Sequence, residues 1–240
     1  MREIKHMADG LETKTLFPPP PRVLLPVAGE AAAFPVRRVY CVGRNYAEHA
    51  REMGGDPSRE PPFFFQKNPD NLVPPPGDFQ YPSRSQDVHH EVELMVALKA
   101  GGADIRLEDA PACIYGYGVA IDFTRRDLQQ AAKKAGRPWE IAKAFEHSAP
   151  CSALVPASRT GHPESGAIWL DVNGERRQTG DLAEMIWNVP EIIAALSRHV
   201  VLAAGDVILT GTPAGVGAIV AGDRIDCGIT GIATRSLAVI

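Results

Sequence analysis

The stretch Ala167-Ile168-Trp169-Leu170-Asp171-Val172-Asn173-Gly174-Glu175-Arg176-Arg177-Gln178 decides the fold class. Two extended runs flank Asn173-Gly174, the pair demanded by a type I′ turn, whose two central residues both need positive φ. It reads as a β-hairpin. The same grammar recurs at residues 36–42, 91–98, 114–121, 207–210 and from 224 onward, the last two each preceded by Ala-Gly-Asp at a turn. Helical signals are short. Residues 46–53 form a helix with Asn45 as cap, stopped by Gly54-Gly55. Residues 124–135 form another, closed by Gly136 with Pro138 beyond it. Asp181 and Glu184 make an acidic capping box that opens a third, interrupted at Pro190 and resumed to His199. Many short strands, few helices and no strict βαβ alternation predict a mainly β, mixed but chiefly antiparallel fold with short helices (α+β).

The 240 residues suit one sizeable domain with a decorated front end. Of 21 prolines, 14 fall within residues 1–82. Glycine and proline together make 43 of 240 residues, under the roughly 25–30% that marks a disordered chain. Pro18 to Pro21 favour an extended polyproline geometry, so residues 1–35 read as an arm and residues 36–240 as the main domain. Within residues 36–82, a loop with Pro57, Pro61 and Pro62 leads to Phe63-Phe64-Phe65, and residues 69–82 read as irregular. Twenty-five basic against 29 acidic side chains give a net charge of −4 with no basic stripe, which argues against nucleic acid as a partner. No run of 18 apolar residues would span a membrane, and residues 1–15 lack the apolar centre of a signal peptide. Cys41, Cys113, Cys151 and Cys227 have apolar neighbours and read as reduced core thiols, which predicts a cytoplasmic protein.

Chemistry concentrates in three places. In His89-His90-Glu91-Val92-Glu93-Leu94 the period of a strand puts Glu91 and Glu93 on one face, as an exposed rim or as half of a hard-cation site. Asp122 stands where an apolar strand gives way to a helix, and Arg126 and Gln129 share a helical face that can point back at it. Cap duty is one reading of Asp122; the other is a carboxylate, a guanidinium and an amide that together hold a metal and an anionic ligand. His49 and Glu52 lie i and i+3 on the short helix, either as a surface ion pair or as an imidazole oriented to activate water. Glycines 54 and 55 would let that helix move as a lid. Lys143, among apolar residues, either extends its ammonium to solvent or serves a site. Gly211-Thr212-Pro213-Ala214-Gly215-Val216-Gly217 lacks the spacing of either nucleotide-binding loop, which leaves a backbone donor loop at a pocket rim.

Taken together, the Glu91-Val-Glu93 pair, the segment from Asp122 to Gln129, Lys143 and the segment from Thr210 to Gly217 resemble the fumarylacetoacetate hydrolase family, from about Phe34 to the C-terminal region. Residues 34–47, 61–65, 136–139 and 147–150 are most similar to its fumarylpyruvate hydrolases and acylpyruvases, which belong to gentisate-type aromatic degradation. The resemblance implies mixed sheets rolled into a β-barrel-like body, and a homodimer. It also implies one Mg²⁺ or Mn²⁺ on Glu91, Glu93 and Asp122, with Lys143 beside metal and substrate oxygens. His49 with Glu52 would activate water, and Arg126, Gln129, Gly211, Thr212 and Lys67 would bind a small diketo-acid substrate. The implied reaction is hydrolysis of the C–C bond of fumarylpyruvate to fumarate and pyruvate. The same apparatus serves acylpyruvate hydrolysis, oxaloacetate decarboxylation or isomerisation of a dienol diacid, and the non-enzymatic rival is an inert dicarboxylate binder.

Overall fold

Strand Val92–Leu98 organises the molecule. All seven residues are buried, so the strand is covered on both faces and the two faces feed two cores. Val92, Leu94, Val96 and Leu98 join the larger core, and Met95 and Ala97 join the smaller. Strand Arg38–Gly43 divides the same way, Tyr40 and Val42 to one side and Val39 and Cys41 to the other. A computed structural model describes residues 15–52 and 60–240 of the chain.

Six strands make the central sheet, in the order Val155–Pro156, Ile114–Ile121, Val92–Leu98, Asp206–Leu209, Arg38–Gly43, Phe63–Lys67. All neighbours are antiparallel except Asp206–Leu209 with Arg38–Gly43. A second, wholly antiparallel sheet packs on the larger core, in the order Glu175–Asp181, Ala167–Val172, Arg224–Ile229, Ala233–Ala238. Helix Val189–Ser197 closes the same core through Ile192, Ile193 and Leu196. The smaller core is covered by the hairpin Leu24–Pro26 with Ala33–Pro35, which contributes Leu25 and Phe34. A three-stranded sheet, Gly217–Ile219, Val88–His90, Thr124–Arg125, sits beside the site described below. The fold is α+β with short helices, as expected; the sheets wrap the two cores, and none of those among the described residues closes into a barrel.

The decisive hairpin forms as read, with Asn173 at φ 53° and Gly174 at φ 81°. Other expectations are corrected. The aromatic run is the edge strand Phe63–Lys67, not the end of a loop. The expected helix over 124–135 starts two residues later, as Arg126–Lys134, because Thr124–Arg125 pairs with Val88 and His89. The Asp181/Glu184 box caps only the 3₁₀ turn Leu182–Glu184. Pro190 does not interrupt a helix but begins one: it lies in the first turn of Val189–Ser197 behind an Asn188 capping box, where its missing N–H costs nothing. Residues 1–14 of the arm, Met53, Pro57 and the Gly54-Gly55 pair lie outside the described residues. No helix among the described residues is long and apolar enough to cross a membrane.

Candidate active site

The central sheet brings the three acids together by register. Val92 pairs with Ile121, so the next positions outward are Glu91 and Asp122, joined by Asp122 N–H donating to Glu91 O at 2.8 Å. Glu93 lies one residue inside the Val92–Ile121 pair, on the face of Met95 and Ala97, where the smaller core ends and a pocket begins. Oxygen atoms of Glu91, Glu93 and Asp122 lie within 4.8 Å of one another, and all three residues are buried. The alternative readings of an exposed rim and of a helix cap are therefore set aside.

Basic side chains surround the acids unevenly. Lys143 Nζ lies 2.8 Å from Glu91 Oε2 and 2.7 Å from Asp122 Oδ2. Arg126 Nη2 pairs with Glu91 Oε1, and its Nη1 donates to Gln129 Oε1 at 2.6 Å. Burial alone would raise the Glu91 carboxyl, but Lys143 and then Arg126 hold it well below the usual carboxylate range. Lys143 is itself raised, Asp122 and Glu91 outweighing its burial. Glu93 differs. Its hydrogen bond comes from the Gly211 N–H at 2.7 Å, and burial followed by repulsion from Asp122 and Glu91 pushes its pKa well up. A buried carboxylate held this way is what a divalent cation would relieve. Three carboxylates with no nitrogen or sulfur donor suit a hard cation such as Mg²⁺ or Mn²⁺. The residues present fit such an ion.

His49, 6% exposed on helix Ala47–Glu52, lines the same pocket. Its Nδ1 lies 3.4 Å from Glu52 Oε2, and the Glu52 carboxylate also accepts the Gly215 N–H at 3.2 Å. Burial lowers the His49 pKa below its ordinary 6.5, with Glu91 and Glu52 opposing in part, so the imidazole is neutral and able to accept a proton at Nε2. Asn45 does not cap this helix. It ties the helix entry to two loops, donating from Nδ2 to Thr210 O at 2.8 Å and Trp187 O at 2.9 Å while Oδ1 accepts the Trp187 N–H.

The pocket gathers His49, Glu91, Glu93, Asp122, Arg126, Gln129, Lys143 and Thr212. Two expected substrate contacts are placed otherwise. Lys67 does not reach the pocket: its ammonium lies behind Asp122, 2.9 Å from Oδ1, and donates to Ser148 Oγ, Phe123 O and Lys143 O. Its neighbours are acceptors throughout, so its place is structural. Gly211 gives its N–H to Glu93, which leaves Thr212 as the loop residue facing the cavity.

Gln178 was read only as the end of the hairpin, yet its fully buried amide locks the site from the second sheet. Oε1 accepts the Val92 N–H, between the two glutamates, at 3.1 Å, and His90 Nδ1 at 2.8 Å. Nε2 donates to Pro213 O at 3.0 Å and Thr212 Oγ1 at 2.8 Å. The backbone partners fix the amide orientation, so His90 carries its proton on Nδ1 and the Thr212 hydroxyl hydrogen remains free to donate. Arg44, Phe65, Lys133 and Trp139 also line the pocket; the sequence marked Arg44, Phe65 and Trp139 only by their place in family-like blocks, and Lys133 not at all.

A buried carboxylate triad with an adjacent lysine and a histidine–glutamate dyad defines a metal-site enzyme fold. The chain belongs to the fumarylacetoacetate hydrolase family: residues 38–239 match the family model described as Fumarylacetoacetate (FAA) hydrolase C-terminal. The crystal structure of fumarylpyruvate hydrolase from Pseudomonas aeruginosa, in complex with Mn²⁺ and pyruvate, superposes with TM-score 0.93 at 50% identity, covering 95% of this chain and 99% of that one. A fumarylpyruvate hydrolase of Ralstonia is 45% identical over 77% of this chain and 95% of its own length. An oxaloacetate tautomerase of Escherichia coli is 46% identical over 82% and 90% respectively.

Proposed function

We propose that the chain is a Mg²⁺- or Mn²⁺-dependent hydrolase that cleaves fumarylpyruvate to fumarate and pyruvate, in gentisate-type aromatic degradation. The observation that carries this reading is buried His49, oriented by the exposed carboxylate of Glu52, in the same pocket as the carboxylate triad, because a dicarboxylate binder needs no base. A cation on Glu91, Glu93 and Asp122 would supply Lewis-acid stabilisation of the charge that develops on the pyruvyl oxygens. Gln129, whose Oε1 is taken by Arg126, presents its NH₂ to the substrate carboxylate. Thr212 offers its free hydroxyl hydrogen to the distal carbonyl. His49 Nε2 takes a proton from water as the oxygen adds to that carbonyl. Collapse of the tetrahedral adduct breaks the C–C bond and expels the enolate of pyruvate. Lys143, with two of its three hydrogens on Glu91 and Asp122, directs the third at the developing charge. The proton held on His49 passes to the enolate carbon to complete pyruvate, and the new acid ionises to fumarate, which is the proton released overall.

The oxaloacetate tautomerase relative favours a second reading, keto–enol interconversion in the same pocket. Two measurements separate them. Hydrolysis of the diketo dianion yields fumarate and pyruvate and releases a proton, whereas tautomerisation releases none. Parallel absorbance and pH-stat assays of fumarylpyruvate, acetylpyruvate and oxaloacetate, with and without Mg²⁺ or Mn²⁺, therefore decide. Oxaloacetate turned over faster, with no proton release from fumarylpyruvate, would overturn the hydrolase reading. Four buried free thiols among the described residues support a reducing, cytoplasmic setting for the proposed enzyme. The homodimer expected from the resemblance is checked by light scattering.

A further inference from the structure

The metal pocket is small, about 30 Å³, and opens into a second cavity of about 210 Å³ that shares Gly43, Arg44 and Trp139 with it. Three aromatic side chains line the larger cavity, Phe63, Trp139 and Trp187, the first two packed edge to face at 5.0 Å. Arg44 stands at the junction. Its φ of 59° lies in the left-handed region, an uncommon cost for a side chain of this size. The backbone is held there from both sides. Asn45 is fastened to Thr210 and Trp187, and a Cβ on Gly43 would meet Phe63 Cδ1 at 2.6 Å. Among the described residues Arg44 makes no hydrogen bond or ion pair. Lys133, whose ammonium lies 4.9 Å from the Trp139 ring centroid, lines the metal pocket beside it, and its pKa is lowered by burial and then by Arg126 and Arg44. Two cations thus face the junction. Glu60 lines only the larger cavity.

We infer that the second cavity is the acyl subsite of the proposed reaction, shaped for a planar unsaturated chain that ends in a carboxylate, and that Arg44 binds that carboxylate. This rests on the hydrolase reading for its reaction but on the cavity for its chemistry. Flat aromatic walls accept a conjugated chain on either ring face. The exposed guanidinium fork of Arg44 matches a carboxylate bidentately, with a charge-assisted hydrogen bond that a neutral tail cannot accept. Acylpyruvates with a neutral tail gain only the apolar contact.

The test is a specificity ratio. In Arg44→Gln, kcat/KM for fumarylpyruvate relative to acetylpyruvate should fall at least tenfold, and Arg44→Lys should recover part of it, as a point charge without the fork does. A ratio within threefold of wild type in both variants would overturn the inference. A second readout does not need turnover. Calorimetric titration of the Mn²⁺-loaded protein should show fumarate binding at least tenfold tighter than crotonate, the same planar chain with one carboxylate fewer, and Arg44→Gln should erase that preference. If wild type fails to hydrolyse fumarylpyruvate yet prefers fumarate through Arg44, the reaction assignment falls and the subsite stands. If it hydrolyses fumarylpyruvate while neither ratio depends on Arg44, the subsite falls and the reaction stands.

Discussion

Replacing Gln178 by leucine removes an amide that is fully buried and bonded at both ends. Four partners lose it. His90 and the Thr212 hydroxyl can turn to other neighbours, but the Val92 N–H and the Pro213 carbonyl are fixed backbone groups. Each buried backbone group left unpaired costs about 1–3 kcal/mol, so the two together predict about 2–6 kcal/mol of destabilisation. That is a large share of the roughly 5–15 kcal/mol of a typical domain. Glutamate at 178 is the informative control. Its protonated form is isosteric, keeps the acceptor for Val92 and donates one hydrogen to the 212–213 loop. Its ionised form buries a charge and sets its second oxygen against the Pro213 carbonyl. Gln178→Glu should therefore be mildly destabilised at pH 5 and increasingly so as pH rises, whereas the leucine variant shows no such slope. Urea denaturation at a series of pH values measures both, with an unchanged slope on denaturant concentration as the check that only stability moved. The Val92 N–H sits between two metal-binding candidates, so both variants should also bind Mn²⁺ about 10–100-fold more weakly by electron paramagnetic resonance titration. A leucine variant within 1 kcal/mol of wild type and with wild-type Mn²⁺ affinity would refute the reasoning.

Glu93 is a carboxyl whose folded-state pKa is raised, so its ionisation destabilises the metal-free protein progressively as pH rises above the ordinary value. Glu93→Gln should raise the metal-free Tm at pH 8 and abolish the further rise that Mn²⁺ gives wild type, about 2.7 kcal/mol at a concentration of 100 Kd; calorimetry with and without metal checks both halves. His49 acts as a base only when neutral, and its pKa is depressed by burial, so the acid limb of kcat/KM should lie below pH 6.5. Removing the carboxylate that raises it, Glu52→Gln, should move that limb lower still while kcat drops, and a wild-type limb at or above pH 7 would contradict the assignment. Lys67→Met leaves Asp122 Oδ1 without its ammonium and should cost about 3–5 kcal/mol by urea denaturation, the price of breaking a buried pair. A fully stable variant with a raised KM alone would return Lys67 to the role of substrate contact.

The metal-binding candidates were readable because their signal is local. Alternation in a strand aims Glu91 and Glu93 together, and an acid at the end of an apolar strand stands out where Asp122 does. The Asn-Gly hairpin was readable for the same reason, since two residues carry the turn. What stayed hidden depends on partners far along the chain. Asn45 looks like a helix cap until residues 187 and 210 arrive to take its amide. Lys67 reads, through the resemblance, as a substrate contact until the strand Phe63–Lys67 pairs with Arg38–Gly43 and buries it behind Asp122. Gln178 lies in a recognised hairpin, but its function is set by groups 34 and 86 positions away. Pro190 was misread because a proline inside a helical pattern and one in a first turn look alike until the cap is located.

The charges of the site sharpen what it is built to stabilise. Glu91, Glu93 and Asp122 are matched within reach by Lys143, Arg126 and Lys67, so the bare arrangement is neutral when all six are ionised. A divalent cation then leaves two positive charges in a buried pocket. A pyruvyl carboxylate supplies one negative charge in the ground state. In the proposed mechanism, cleavage of the adjacent C–C bond moves a second negative charge onto the enolate oxygen beside the cation, while the matching proton sits on His49 at the pocket wall. Local balance at the cation is therefore reached as the bond breaks and not when substrate binds, which is the condition for binding energy to lower a barrier instead of deepening a well. The same arithmetic holds for any substrate that passes through an enolate beside a carboxylate, so the triad sets the class of chemistry. On the proposed reading, choice within that class falls to groups beyond the triad: His49, the candidate base that would activate water, and Arg44, the inferred anchor for a carboxylate tail on the acyl chain.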